Sequence, residues 1–198
     1  IRKVSASSLH TCALQNNGDV KCWGINEYGQ LGDGTKIART TPVKVSLSGR
    51  VREVTTGTAH SCALMEDIAE VKCWGIGSSN ILGYTRADDS PNPTDVGGLD
   101  KTVISISAGY DFTCALLRDG SVKCWGGNLN GQLGIGTKGG SAPPTNVVGL
   151  SSKVIALDSG FQHVCAILDN GKVMCWGNGY LGNGVNSQSS TPVEVLFN

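Results

Sequence analysis

Cysteine and histidine are the side chains here with the most chemistry to offer, and both fall at repeating positions. Eight cysteines form four pairs, Cys12/Cys22, Cys62/Cys73, Cys114/Cys124 and Cys165/Cys175, whose members stand ten or eleven residues apart. Zinc sites usually place two ligands two to four residues apart on a tight turn, and no Cys-x-x-Cys redox motif occurs. Structural disulfides suit the spacing. His10, His60 and His163 each stand two residues before the first cysteine of a pair, the arrangement of a ring of metal ligands. The fourth member of the series is Phe112, which cannot ligate. The slot therefore reads as a packing position, with the imidazole bonded to a neighbouring turn. No carboxylate or nucleophile recurs beside the histidines. No catalytic set, metal or cofactor is expected.

The elements that would position these residues follow from the repeat. Each second cysteine opens a Cys-Trp-Gly, and Trp23, Trp74, Trp125 and Trp176 recur every 51 residues. The repeats run 1–50, 51–102, 103–153 and 154–198, read as one domain. A period near 50 residues with several short apolar alternations and no 3.6-residue period indicates blades of a β-propeller. Opening strands are expected at Ile1–Val4, Val51–Val54, Val103–Ile106 and Val154–Leu157. Facing Cys12 with Cys22 puts Leu14 opposite Val20 and leaves Asn16-Asn17-Gly18 as the loop, the glycine in the left-handed position. Arg118-Asp119-Gly120 and Asp169-Asn170-Gly171 give the same register. Repeat symmetry thus selects one disulfide per blade. Repeat two has eleven residues between its cysteines and no glycine in Glu66–Glu70, which predicts a wider loop and the most strained pair. Ala13, Ala63, Ala115 and Ala166 follow the first cysteines, as at a crowded approach between blades. The four tryptophans read as interblade core. A Leu-Gly turn closes each loop, and Pro42, Pro93, Pro144 and Pro192 open the last strand of each blade, where proline costs no ladder bond.

Sixteen basic and sixteen acidic residues cancel, without long runs of either sign. That excludes a generic nucleic-acid or anionic-membrane surface. No stretch approaches the ~20 apolar residues of a membrane span. The chain opens at Ile1 without a basic-then-apolar leader, as a mature or excised chain would. An even, paired set of cysteines points to an oxidising setting, extracellular, at the cell surface or in the periplasm.

The run SAGYDFTCALLRDGSVKCWGGNLNGQLGIGT resembles the repeat of the regulator of chromosome condensation family, and the pattern covers essentially the whole chain. The resemblance implies four-stranded blades, usually seven, in proteins that act as exchange factors, photoreceptors, inhibitors or binding modules. Here there are four repeats, each with a cysteine pair, a variant similar to repeats of secreted or surface-exposed bacterial proteins. Nothing matches the exchange factor's catalytic wedge, so that activity is not carried over. Four blades could close alone, belong to a larger propeller, or be completed by neighbouring copies, with Ile1–Val4 completing the last blade of this chain or the next. The expected function is a non-catalytic structural or protein-binding propeller, able to self-assemble into an oligomer or fibre. The alternative is a soluble partner-binding module, an enzyme inhibitor or carbohydrate reader. Candidate binding residues lie in the loops that vary between repeats: Tyr28, Lys36, Arg39, Tyr84, Arg86, Asp88, Asp89, Lys138 and Tyr180.

Overall fold

Short apolar alternations parted by glycine turns give sixteen strands in four antiparallel sheets. The structure, a computed structural model, describes residues 1–84, 88–99, 102–185 and 188–197. The first blade holds β1 (Lys3–Ala6), β2 (His10–Leu14), β3 (Val20–Gly24) and β4 (Arg39–Lys44). The second holds β5 (Val51–Thr56), β6 (His60–Met65), β7 (Val71–Gly75) and β8 (Ser90–Asp95). The third holds β9 (Val103–Ala108), β10 (Phe112–Leu117), β11 (Val122–Gly127) and β12 (Ser141–Asn146). The fourth holds β13 (Val154–Ser159), β14 (His163–Leu168), β15 (Val173–Gly177) and β16 (Ser189–Glu194). Strands neighbour one another in chain order, so every blade is an up-and-down meander. Among the described residues no helix is long and apolar enough to cross a membrane.

The hairpin register is the one the turns predict. Cys12 faces Cys22 and Leu14 faces Val20, and Gly18 takes φ 88° in the loop. The four disulfides Cys12–Cys22, Cys62–Cys73, Cys114–Cys124 and Cys165–Cys175 each staple the middle hairpin of one blade. In the second blade the extra residue is absorbed by the loop, where Ala69 takes φ 52°. The Cys62–Cys73 Cα separation is 4.1 Å, as in the other three blades. The glycine of each Cys-Trp-Gly has a separate cause. At Gly24 φ is 120°, and a Cβ would stand 2.6 Å from the Leu9 carbonyl oxygen. The pairing with the outer strand shifts register between Cys22 and Gly24 and at the same place in the other blades. The four prolines lie inside the outer strands rather than at their first residues. These strands are sheet edges, and the register shift leaves no ladder bond for the missing N–H to break.

Blades join through apolar faces. Cys12, Leu14, Cys22 and Leu31 of the first blade share a core with Val54, Ala63 and Trp74 of the second. Cys62, Cys73 and Leu82 share one with Ala115 and Trp125, and Cys114, Cys124 and Leu133 with Ala166 and Trp176. The disulfides of the first three blades thus pack against the alanine and tryptophan of the next blade, which is why a methyl is all that fits at Ala63, Ala115 and Ala166. Among the described residues there are three such cores for four blades. The expectation that the opening strand completes the last blade is overturned. Lys3–Ala6 pairs with the first blade's own β2, the Arg2 N–H donating to the Leu14 carbonyl at 2.7 Å. A turn of three residues, Ser7 to Leu9, joins these strands, and that short connection decides the pairing. The outward faces of the end blades are left uncovered. Ile1 and Val4 are 69% and 56% exposed, Trp23 is only partly buried, and Ile167 is 45% exposed where Leu14, Leu64 and Leu116 are buried.

Candidate functional site

The seams between blades consume most of the residues that could do chemistry. Ser61 donates its hydroxyl proton to the Gln30 carbonyl at 3.0 Å. Its oxygen must then accept from His10, whose Nε2 lies 2.6 Å away, and this fixes the imidazole tautomer. The same Gln30 carbonyl accepts the Trp74 indole N–H at 2.9 Å. At the next seam His60 Nε2 meets Thr113 Oγ1 at 2.9 Å, and Trp125 donates to the Ile81 carbonyl at 3.1 Å. At the third seam Phe112 stands in the histidine slot and Val164 in the hydroxyl slot, both buried in one core, and Trp176 donates to the Gln132 carbonyl at 3.1 Å. The His10 and His60 imidazoles are thus each bonded to a strand hydroxyl of the following blade, and His10 meets a turn as well, its Nδ1 lying 3.2 Å from the Ser7 hydroxyl. Histidine goes with serine or threonine, and phenylalanine with valine. Among the described residues no three His, Cys, Asp or Glu side chains gather as a metal site.

Burial lowers the His10 pKa to about 4, against a small opposing contribution from the Thr58 backbone, and lowers that of His60 to about 3. Both rings are neutral at pH 7. A histidine whose pKa is depressed on folding binds its proton more readily when unfolded. Its contribution to stability is complete above pH 6.5 and is lost as the pH falls from there toward 4 for His10 and 3 for His60. The loss is about 1.4 kcal/mol per histidine per pH unit. Urea midpoints measured between pH 7 and 4.5 should show this slope. The pair His60→Phe with Thr113→Val, which copies the third seam, should roughly halve it and leave the share of His10.

The turns after the innermost strands form a different surface. Ser7-Ser8, Gly57-Thr58, Gly109-Tyr110 and Gly160-Phe161 come from all four blades and line one cavity of about 320 Å³ at the axial mouth. Backbone bonds link the turns, Thr58 N–H to the Tyr110 carbonyl at 3.1 Å and Tyr110 N–H to the Phe161 carbonyl at 2.9 Å. The glycines are needed because a Cβ on Gly57 would lie 2.0 Å from the His60 ring. On this rigid rim the Tyr110 and Phe161 rings pack tilted at 43° with centroids 4.5 Å apart, and Phe161 is 63% exposed. Asp111 beside them has its pKa raised by burial, opposed by the amide of Gln132 donating at 3.1 Å. Reading the chain repeat by repeat passes over this pair as turn residues. The signal lies in comparing one slot across repeats, where Ser8, Thr58, Tyr110 and Phe161 differ among otherwise small residues.

The loop candidates do not converge in the same way. Arg39 is held by Asp33 at 2.9 Å, and Lys36 and Asp89 pair at 2.8 Å across the loops of the first two blades. The Tyr84 hydroxyl lies 3.4 Å from that of Thr94, whose own proton goes to the Cys73 carbonyl, and Tyr28 is anchored through its N–H to the Gln30 side chain at 3.0 Å. Asp88, Lys138 and Tyr180 are exposed, while Arg86 lies outside the described residues.

Four-stranded antiparallel meanders packed face to face, their inner turns sharing one mouth, define a β-propeller array. The repeats settle the family. The chain matches the regulator of chromosome condensation (RCC1) repeat over residues 17–64, 70–116 and 119–167, and a second form of that repeat over 1–30, 103–132 and 154–183, and it belongs to that family. It is 35% identical over 187 residues to the ultraviolet-B receptor UVR8 of Arabidopsis thaliana, covering 91% of this chain and 42% of that protein. It is 32% identical over 203 residues to the human E3 ubiquitin-protein ligase HERC2, covering 98% of this chain but 4% of the ligase. Human WBSCR16 superposes with a TM-score of 0.85 at 28% identity, over 96% of this chain and 50% of that one. Yeast Prp20p, whose structure was described together with its binding to Gsp1p and histones, superposes with a TM-score of 0.87 at 22% identity, over 98% of this chain and 50% of that one. The chain thus spans half or less of these relatives.

Proposed function

We propose that this chain is a non-catalytic, disulfide-stapled protein-binding module of an oxidising setting, extracellular or at a cell surface, and that copies of it join through the end blades. The observation that carries the binding role is the exposed Tyr110–Phe161 pair on a rim fixed by backbone hydrogen bonds. Rigid aromatics that lose little conformational entropy on docking are the usual anchors of protein interfaces. Every cysteine of the sequence lies in a disulfide, which supports the oxidising setting. Relatives named as a receptor, and a yeast propeller studied for its binding of proteins, agree with a binding role. A photoreactive residue at position 161 should crosslink the partner. Phe161→Ser and Tyr110→Ser should then each weaken its binding about tenfold or more without changing the melting temperature. Unchanged affinity in both variants would remove the axial mouth as the binding surface.

A further inference from the structure

The loop that follows Trp74 departs from its counterparts in the first and third blades. There the slot before the Leu-Gly turn holds Gln30 and Gln132, whose side-chain oxygens accept the Tyr28 and Asn130 N–H groups at 3.0 and 2.9 Å. The second blade has Ile81 in that slot, and isoleucine has no oxygen to offer. Ser79, which corresponds to Tyr28 and Asn130, turns instead into the left-handed region at φ 56°. Asn80 follows at φ 55°, where the other two loops have Gly29 and Gly131. Between this loop and the inner turn of the third blade lies a cavity of about 220 Å³, its walls including Ala59, Ile76, Ser79, Ile81, Tyr110 and Asp111. The second and third blades are each packed on both sides by a neighbour, so the walls are those of a complete seam.

This volume is smaller than the ~300–1,000 Å³ of small-molecule sites and takes one long side chain. Asp111 is the charged residue of the lining. Its half-buried carboxylate accepts the Gln132 amide at 3.1 Å, and among the described residues no lysine, arginine or histidine pairs with it. Burial raises its pKa, because desolvation without a cation disfavours the charged form. Tyr110 beside it is 41% exposed and lines both this cavity and the axial mouth. Ala59, Ile76 and Ile81 make the rest apolar. An aromatic ring and an uncompensated carboxylate in an apolar slot suit a cation carried on a methylene stem.

We propose that this cavity receives one arginine side chain of a protein partner, its stem against Ile76 and Ile81 and its guanidinium at the Tyr110 ring and the Asp111 carboxylate. This rests on the reading of the chain as a protein-binding module and names what the partner presents. Charge complementarity selects the occupant, since the lining supplies one carboxylate and no cation. A planar guanidinium can lie on the tyrosine ring while its N–H edge meets the carboxylate, which a compact ammonium cannot do. A partner seated on the axial rim reaches the cavity directly, because Tyr110 belongs to both.

The test is a nuclear magnetic resonance titration of the isotope-labelled chain with the tripeptide acetyl-Gly-Arg-Gly-amide. Its counterpart with citrulline, the neutral isostere of arginine, is the comparison. The arginine peptide should shift the Ser79, Ile81 and Asp111 amide signals saturably, and the citrulline peptide should bind about tenfold or more weakly. Asp111→Asn keeps an oxygen for the Gln132 amide and should bring the arginine peptide down to the citrulline level. Ile81→Gln, which copies the first and third blades, should bind the Ser79 N–H, close the cavity and weaken the arginine peptide about tenfold or more. Unchanged melting temperatures check that both variants are folded. The absence of saturable shifts at these residues overturns the proposal. Equal binding of the two peptides also overturns it, since the cavity would then take a neutral side chain. Neither result touches the binding role itself, which the crosslink from position 161 decides separately.

Discussion

Reduction of the four disulfides is expected to unfold this protein at 37 °C. Each bridge joins cysteines 10 or 11 residues apart. A loop of that length gives about 2–3 kcal/mol in the chain-entropy description. Four bridges together contribute about 10 kcal/mol, which is the size of a whole domain's stability. Circular dichroism melts with and without a phosphine reductant measure the effect, and a single pair replaced by alanines should lose about a quarter of it. The order of reduction carries further information. The first three disulfides are fully buried under the alanine and tryptophan of the following blade, whereas Cys165, in the fourth blade, is only partly buried. Limiting reductant followed by alkylation and peptide mapping should therefore label Cys165 and Cys175 first. Labelling of all eight together, or of Cys12 and Cys22 first, would show that the neighbouring blade does not provide the shielding.

The blades were legible in the sequence because their information is local. A hairpin register can be counted from a turn glycine, as between Cys12 and Cys22, and the tryptophan period marks the unit. The alanine after each first cysteine also pointed correctly to a crowded approach between blades. What escaped was information held jointly by two repeats. The partner of His10 is Ser61, one repeat further on, and it becomes visible only when the histidine slot of one repeat is set beside the hydroxyl slot of the next. Phe112 then ceases to be an exception, since Val164 offers it no oxygen. The Tyr110–Phe161 pair was hidden for the same reason. The two rings are neighbours only because successive turns converge at the axis. Ile1–Val4 failed for a different reason. Propeller closure suggests a long-range role for a first strand, but a strand joined to β2 by a three-residue turn pairs locally before any distant edge is available.

The four tryptophans offer a direct measure of position, because their local sequence is the same and their surroundings are not. Trp74, Trp125 and Trp176 are completely buried, each donating its indole N–H to a carbonyl of the preceding blade. Trp23 is only partly buried and lines an open groove. Replacement of a buried tryptophan by alanine costs about 3–5 kcal/mol, and here it also strands the carbonyl that accepted the indole. Trp74→Ala, Trp125→Ala and Trp176→Ala should each fall in that range in urea unfolding of the dilute chain. Trp23→Ala should cost about 1 kcal/mol or less, near the range of surface substitutions. Trp176→Ala should in addition separate the transitions, with the fourth blade losing protection from hydrogen exchange before the rest. Among the described residues that blade shares one core with its neighbour, and stability in such arrays is a sum over neighbours. If Trp23→Ala proved as costly as the others in dilute monomer, the first blade would be covered by its own chain and the outward face described above would not exist. If its cost rose only as the chain was concentrated, the missing partner of Trp23 would be another copy, because a seam formed between chains stabilises by mass action and one formed within a chain does not.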